Sequence, residues 1–183
     1  MSETFAECVA LDTNVFLHLL NPQQNDGHID ELLMTLMELA TRLLVDQDGH
    51  IAHEYLTYVV PRIQDASDTG PQTSILRYWM DVDRRISLDI PSRCNLWRLI
   101  QKVIHEQQER TDCRFVCVAF LRQKALVTND RLHILEGPTR EHRNQSSKFR
   151  LARLLKIAKD ERLRGAAIFS TREAAGKCAR SGR

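Results

Sequence analysis

The stretch Cys8-Val9-Ala10-Leu11-Asp12-Thr13-Asn14 decides the fold of this chain. Its four apolar residues predict a short buried β-strand, and Asp12 ends that strand. A second stretch, Ala125-Leu126-Val127-Thr128-Asn129-Asp130, has the same form and ends in Asp130. Carboxylates at the carboxyl ends of buried strands lie on the rim where open α/β sheets bind ligands. We therefore expect Asp12 and Asp130 to lie on one rim.

Helices and further strands are predicted between and after these two strands. Apolar spacing predicts a helix over residues 28–45, and residues 50–52 predict a strand that leads into a helix at His53. Thr111 is a candidate cap for a helix over residues 112–123, and a last strand is predicted at 166–169. This alternation of short strands with helices indicates an α/β fold with a mostly parallel sheet.

Four carboxylates are candidate catalytic and metal-binding groups: Asp12, Glu54, Asp112 and Asp130. Glu54 and Asp112 are predicted at helix starts near the rim. Like charges gathered there repel each other unless a cation lies among them. Ligands that are all oxygen suit Mg²⁺ or Mn²⁺ better than zinc. The sequence therefore predicts a site for Mg²⁺ or Mn²⁺.

Each acid also has an ordinary structural alternative. Asp12 can cap the helix that begins near Asn14. Glu54 and Asp112 can serve only as acidic residues in first helical turns, where the helix dipole favours them. Asp130 can be a turn residue.

Two polar side chains are predicted to support the acids. We expect Asn14 to orient Asp12 by a hydrogen bond, and Thr128 to bond a carboxylate or an attacking water. Both can instead be ordinary polar residues at element ends. The string His50-Ile51-Ala52-His53-Glu54 is weak support for zinc, because its histidines lack the spacing of HExxH.

Charge is unevenly distributed along the chain. Residues 140–183 hold thirteen Lys/Arg and four Asp/Glu, a net charge of +9, whereas residues 1–139 carry a net charge of −7. A basic segment beside an acidic body suits a polyanion partner such as RNA, although it can equally be a solvated face. The candidate RNA-binding residues are Arg131, Lys148, Arg150, Arg153 and Lys156.

Length predicts one domain over residues 1–170 that includes a basic helical insertion at about 136–165, followed by a disordered basic tail over 171–183. The five cysteines are an odd number without CxxC spacing, which predicts reduced thiols. No signal peptide or membrane span is expected from the sequence. These features together predict a cytoplasmic protein.

The order of these pieces resembles the PIN-domain family, which includes VapC-type toxins. The matching residues are Val9 to Leu17, Glu54, Asp112 to Ala119 and Leu126 to Asp130. The resemblance implies an α/β/α sandwich and cleavage of RNA that depends on Mg²⁺ or Mn²⁺. It also implies RNA as substrate, an antitoxin or other protein as a partner in toxin members, and homodimers. Long segments at 64–90 and 135–165 depart from the compact members of the family.

Two other classes of function stay open. A non-catalytic PIN-like protein, which acts as an RNA-binding scaffold or as a protein adaptor, would share the fold. Such a protein would have no need of clustered acids. A nucleotide-binding regulator would need a glycine-rich phosphate loop, and no G-x-G-x-x-G or P-loop string is present among the seven glycines.

Overall fold

A parallel sheet lies at the centre of the chain. In a computed structural model, the residues described are 5, 7–21, 23, 27–65, 70–90, 107–129 and 168–181. Within these residues there are five strands: β1 (Cys8–Leu11), β2 (Arg42–Asp46), β3 (Arg85–Leu88), β4 (Leu126–Val127) and β5 (Ile168–Phe169). They are ordered β3-β2-β1-β4-β5, and each neighbouring pair is parallel.

The helices cover the sheet. Those described are α1 (Thr13–Leu19), α2 (His28–Glu38), α3 (His50–Tyr58), α4 (Val60–Asp65), α5 (Pro71–Met80), α6 (Gln107–Arg122) and α7 (Thr171–Ser181), with a 3-10 turn at Val82–Arg84. The fold is α/β, with a three-layer α/β/α arrangement around the parallel sheet, as the sequence predicted. None of the described helices combines the length and apolar character that a membrane crossing requires.

The sheet is buried because its central strands are apolar on both faces. Every residue of β1 is buried, and α6 packs on β1 and β2. Helix α2 buries one apolar face, formed by Ile29, Leu32, Leu33 and Leu36, and packs against α7. Burying one such side chain contributes roughly 1.5–3 kcal/mol, so this core supplies a rigid support for the rim.

The prediction of one helix over residues 28–45 was wrong. Helix α2 ends at Glu38, Ala40 adopts a left-handed φ of 51°, and the Thr41 N–H donates to the Leu36 carbonyl at 3.0 Å. These contacts form a helix-terminating motif. A short apolar run such as residues 43–45 fits either a buried strand or a helix, and burial in the sheet decides for β2.

Two other predicted boundaries were wrong, and both concern candidate acids. Residues 50–52 begin α3 instead of forming a strand, because the strand at this position is β2 and Gly49 turns the chain with φ 79°. Helix α6 begins at Gln107, so Thr111 is not its cap and Asp112 lies inside the helix.

The predicted disordered tail is instead the ordered helix α7 over Thr171–Ser181. Ala174, Ala175 and Cys178 are buried, and their small side chains allow close packing of α7 against α2. The sequence concealed this helix because small residues among charged ones give a weak apolar pattern. The predicted basic helical insertion at 136–165 lies outside the described residues.

Candidate functional site

The parallel strands bring their carboxyl ends to one rim, and polar residues follow each of the central strands there. Asp12 follows β1, Asp46 ends β2, Thr128 and Asn129 follow β4, and Thr171 begins the helix after β5. The backbone pairs these ends directly, since the Asp12 N–H donates to the Val127 carbonyl at 2.9 Å. Residues that are more than a hundred positions apart in sequence therefore meet on this rim.

Asp12 is buried on the rim, with only 6% of its surface exposed. Its Oδ2 accepts hydrogen bonds from Thr128 Oγ1 at 2.6 Å and from Asn14 Nδ2 at 2.9 Å, and Oδ1 accepts weakly from the Asn14 N–H at 3.4 Å. Asp12 is also the N-cap of α1. The predicted contacts of Asn14 and Thr128 with a carboxylate are both present, whereas their part in a reaction stays a prediction.

Asn129 links this network to the C-terminal helix. Its N–H donates to Asn14 Oδ1 at 3.0 Å, and its side-chain Oδ1 accepts from Thr171 Oγ1 at 2.8 Å and from the Thr171 N–H at 3.3 Å. Asn129 and Thr171 were not among the predicted site residues. Asn129 follows a predicted strand, and this position in the sequence could have identified it as a rim residue. Nothing in the sequence indicated that α7 would reach the rim.

The orientation of the Asn129 amide determines the tautomer of His18. Because Asn129 Oδ1 accepts from Thr171, its Nδ2 faces His18 Nδ1, at 3.2 Å. An amide nitrogen can only donate, so His18 Nδ1 accepts and the neutral ring carries its proton on Nε2. Burial lowers the pKa of His18 below its usual value of 6.5, which also favours the neutral ring.

We expect this histidine to make the folded protein less stable in mild acid. Well above pH 6.5 the ring is neutral in both the folded and the unfolded protein. As the pH falls through 6.5, the unfolded chain binds the proton first, because the pKa of His18 in the folded protein is lowered. The free energy of unfolding should therefore fall until the pH passes the folded pKa. Urea unfolding between pH 7.5 and about 5 would measure this. The His18→Gln variant should lose this part of the pH dependence, and equal slopes in the two proteins would contradict the assignment.

Glu54 lies on α3, in the turn after the start of that helix, and is half-buried. Burial raises the pKa of its carboxyl above the usual 4.5, and the negative charge of Asp12 raises it further. The Thr13 hydroxyl partly opposes this rise, although Thr13 Oγ1 is buried without a hydrogen bond of normal geometry. The charges of Asp12 and Glu54 therefore repel each other, and the buried Thr13 hydroxyl acts on Glu54.

Tyr55 holds α3 against the end of β1. Its hydroxyl donates to the Leu11 carbonyl, directly before Asp12, and its ring packs edge-on against Phe16 at 5.5 Å. Full burial raises the pKa of Tyr55 well above its usual value, with Asp12 and Glu54 contributing. The tyrosine is therefore a neutral donor that fixes the position of Glu54 relative to Asp12.

The remaining predicted site residues are not placed by the described structure. Asp112 belongs to α6, but its side chain lies outside the described residues, as do Asp130 and Arg131. The candidate RNA-binding residues Lys148, Arg150, Arg153 and Lys156 also lie outside them. The predicted four-acid cluster is thus represented here by Asp12 and Glu54.

A second acidic group on the rim was not predicted. Asp46, Asp48 and His50 have ligand atoms within 4.8 Å of one another, a spacing that could hold a metal ion. Arg114 Nη1, however, lies 2.7 Å from Asp46 Oδ2 and 2.9 Å from Asp48 Oδ2. The guanidinium therefore already supplies the positive charge of this group. Asp46 was not predicted as a rim residue, because the residues of β2 were assigned to the end of a helix.

Comparison with protein-family models, with curated proteins and with solved structures finds no match for this chain. Its function is therefore inferred from the chemistry of the rim.

Proposed function

We propose that this chain is an endoribonuclease of the PIN-domain type that requires Mg²⁺ or Mn²⁺. One observation carries the proposal. Glu54 is kept half-buried within electrostatic reach of the buried carboxylate of Asp12, although burial and repulsion both raise its pKa. Such an arrangement lowers stability in the absence of a counter-ion, and a divalent cation would reverse the sign of the interaction.

The donors fit a hard cation. Asp12 and Glu54 offer carboxylate oxygens, and the buried Thr13 hydroxyl lacks a normal hydrogen bond. Oxygen donors of this kind suit Mg²⁺ and Mn²⁺. In this proposal Asp12 and Glu54 hold the ion, and Asp112 and Asp130 complete the ligand set.

Each residue of the site then has a distinct role in the proposed reaction. A bound divalent ion supplies Lewis-acid polarisation of a phosphate and lowers the pKa of a bound water. Asn14 and Thr128 hold the Asp12 carboxylate in one orientation through fixed hydrogen bonds, which reduces reorganisation during the reaction. A carboxylate of the site that is not itself bound to the ion would take the proton from the water. No side-chain nucleophile is required.

Cleavage of a mixed pool of labelled single-stranded RNA tests the proposal. We expect cutting with Mn²⁺ and with Mg²⁺ and none with EDTA, because the carboxylates alone cannot stabilise charge on the leaving oxygen. Binding of the same RNA is measured in parallel by filter retention. RNA that is bound but remains uncut with either metal would contradict the nuclease and favour the non-catalytic scaffold.

A further inference from the structure

The end of β2 is tied to two helices by one buried carboxylate. Asp46 has only 1% of its side chain exposed. Its Oδ1 accepts from the Ile51 N–H at 2.8 Å, and its Oδ2 accepts from the His50 N–H at 3.2 Å. The N-cap residue of α3 is Gly49, which has no side chain to cap the helix. Asp46 therefore satisfies the free N–H groups of the first turn of α3 from the neighbouring strand.

The same carboxylate holds α6. Arg114 Nη1 donates to Asp46 at 2.7 Å, and only 11% of the arginine side chain is exposed. Asp48 accepts from the same nitrogen at 2.9 Å but is 60% exposed, so it is the weaker partner. A charge-assisted bond between a buried carboxylate and a largely buried guanidinium leaves little freedom in the distance between α6 and the start of α3.

These two helices carry candidate metal ligands. Glu54 follows His50 by four residues on α3, which is about one helical turn. Asp112 precedes Arg114 by two residues on α6. A second contact lies one layer deeper, where the Tyr55 ring packs against Phe115 at 5.9 Å. The Asp46–Arg114 pair and the Tyr55–Phe115 contact therefore both hold α3, the helix of Glu54, against α6.

We propose that Asp46 and Arg114 are positioning residues for the metal site, through which β2 holds α3, and with it Glu54, in place against α6. The inference rests on the proposed function. It predicts that loosening the pair weakens metal binding and slows cleavage at limiting metal, without changing affinity for RNA, because neither residue is proposed to contact the substrate.

Arg114→Lys tests this inference, since lysine keeps the charge but loses the planar guanidinium that spans two carboxylates. We expect its Kd for Mn²⁺, measured by calorimetry on protein shown to be folded by circular dichroism, to rise about 10- to 100-fold. Cleavage should fall at limiting Mn²⁺ and recover at saturating Mn²⁺, with KM for RNA unchanged. The matched control is Arg42→Lys, at the opposite end of β2, where Arg42 donates to the Arg85 carbonyl at 3.1 Å.

If Arg114→Lys does not fold, Asp46→Asn replaces it, because the amide oxygen still accepts from the Ile51 N–H while the Oδ2 bonds to His50 and Arg114 are lost. A variant that binds Mn²⁺ as tightly as the parent and cuts RNA at the parental rate would overturn the positioning role and leave the nuclease intact. If Arg114→Lys loses no more Mn²⁺ affinity than the control Arg42→Lys, the positioning role is also overturned. A parent that neither binds Mn²⁺ nor cuts RNA would overturn both proposals.

Discussion

Replacing Asp12 by asparagine is expected to reduce metal-dependent RNA cleavage by about 1,000-fold or more. The change removes a negative ligand, and losing several kcal/mol of transition-state stabilisation corresponds to at least that factor. The asparagine oxygen can still accept from Thr128 and Asn14, which in the parent donate to Asp12 Oδ2 at 2.6 and 2.9 Å. Cleavage of labelled RNA at saturating Mn²⁺ measures the effect.

The fold of this variant should be retained. The N-cap bond that the Asn14 N–H donates to Asp12 Oδ1 is weak, at 3.4 Å, so replacing Oδ1 with an amide nitrogen costs α1 little. Removing the charge also relieves the repulsion that raises the pKa of Glu54. We expect a change of about 1 kcal/mol or less in the free energy of unfolding. Asp83→Asn, at an exposed position in the 3-10 turn, is the matched control and should cut like the parent. Equal cleavage by Asp12→Asn and the parent would refute the assignment.

Replacing Glu54 by glutamine should lower activity and raise the stability of the metal-free protein. We expect cleavage to fall about 100-fold, within the range for loss of a general base or a metal ligand. Without metal at pH 7, the charge of Glu54 destabilises the folded state because its pKa there is raised above 4.5. Glutamine is neutral, so the variant should melt at a higher temperature than the parent.

The pH and metal dependence separate this explanation from a general packing effect. As the pH falls through the raised pKa towards 4.5, the folded parent takes up its proton and the advantage of the variant should disappear. Saturating Mn²⁺ should stabilise the parent more than the variant, because only the parent has the complete site. Glu38→Gln, at an exposed position on α2, is the control. A variant that is less stable than the parent at pH 7 without metal would contradict the electrostatic explanation.

The expected loss of cleavage and gain of stability in Glu54→Gln mean that the rim gives up stability for function. Asp12 and Glu54 lie where their charges are poorly solvated, yet the surrounding hydrogen bonds hold them in place. A chain selected only for stability would replace Glu54 with a neutral residue. Such a trade is what the proposed cation site predicts.

The sequence by itself determined the parallel α/β fold and the location of Asp12. Four apolar residues before an aspartate predict a buried strand, and β1 lies at Cys8–Leu11. The contacts of Asn14 and Thr128 with Asp12 could also be predicted, because the residues that follow adjacent parallel strands meet at one edge of the sheet. These features depend on local pattern and on the regular geometry of a sheet.

Only the tertiary structure decided the rest. Residues 43–45 suit a helix or a strand equally, and their burial between layers made β2, which brought Asp46 to the rim. The Asp46–Arg114 bond joins residues 68 positions apart, and Asn129 meets Thr171 across 42 positions. Such contacts leave no local pattern, because they depend on which strands become neighbours. For that reason the sequence indicated Asp12 with its partners Asn14 and Thr128, whereas the roles of Asp46, Arg114 and Thr171 emerged only from the fold.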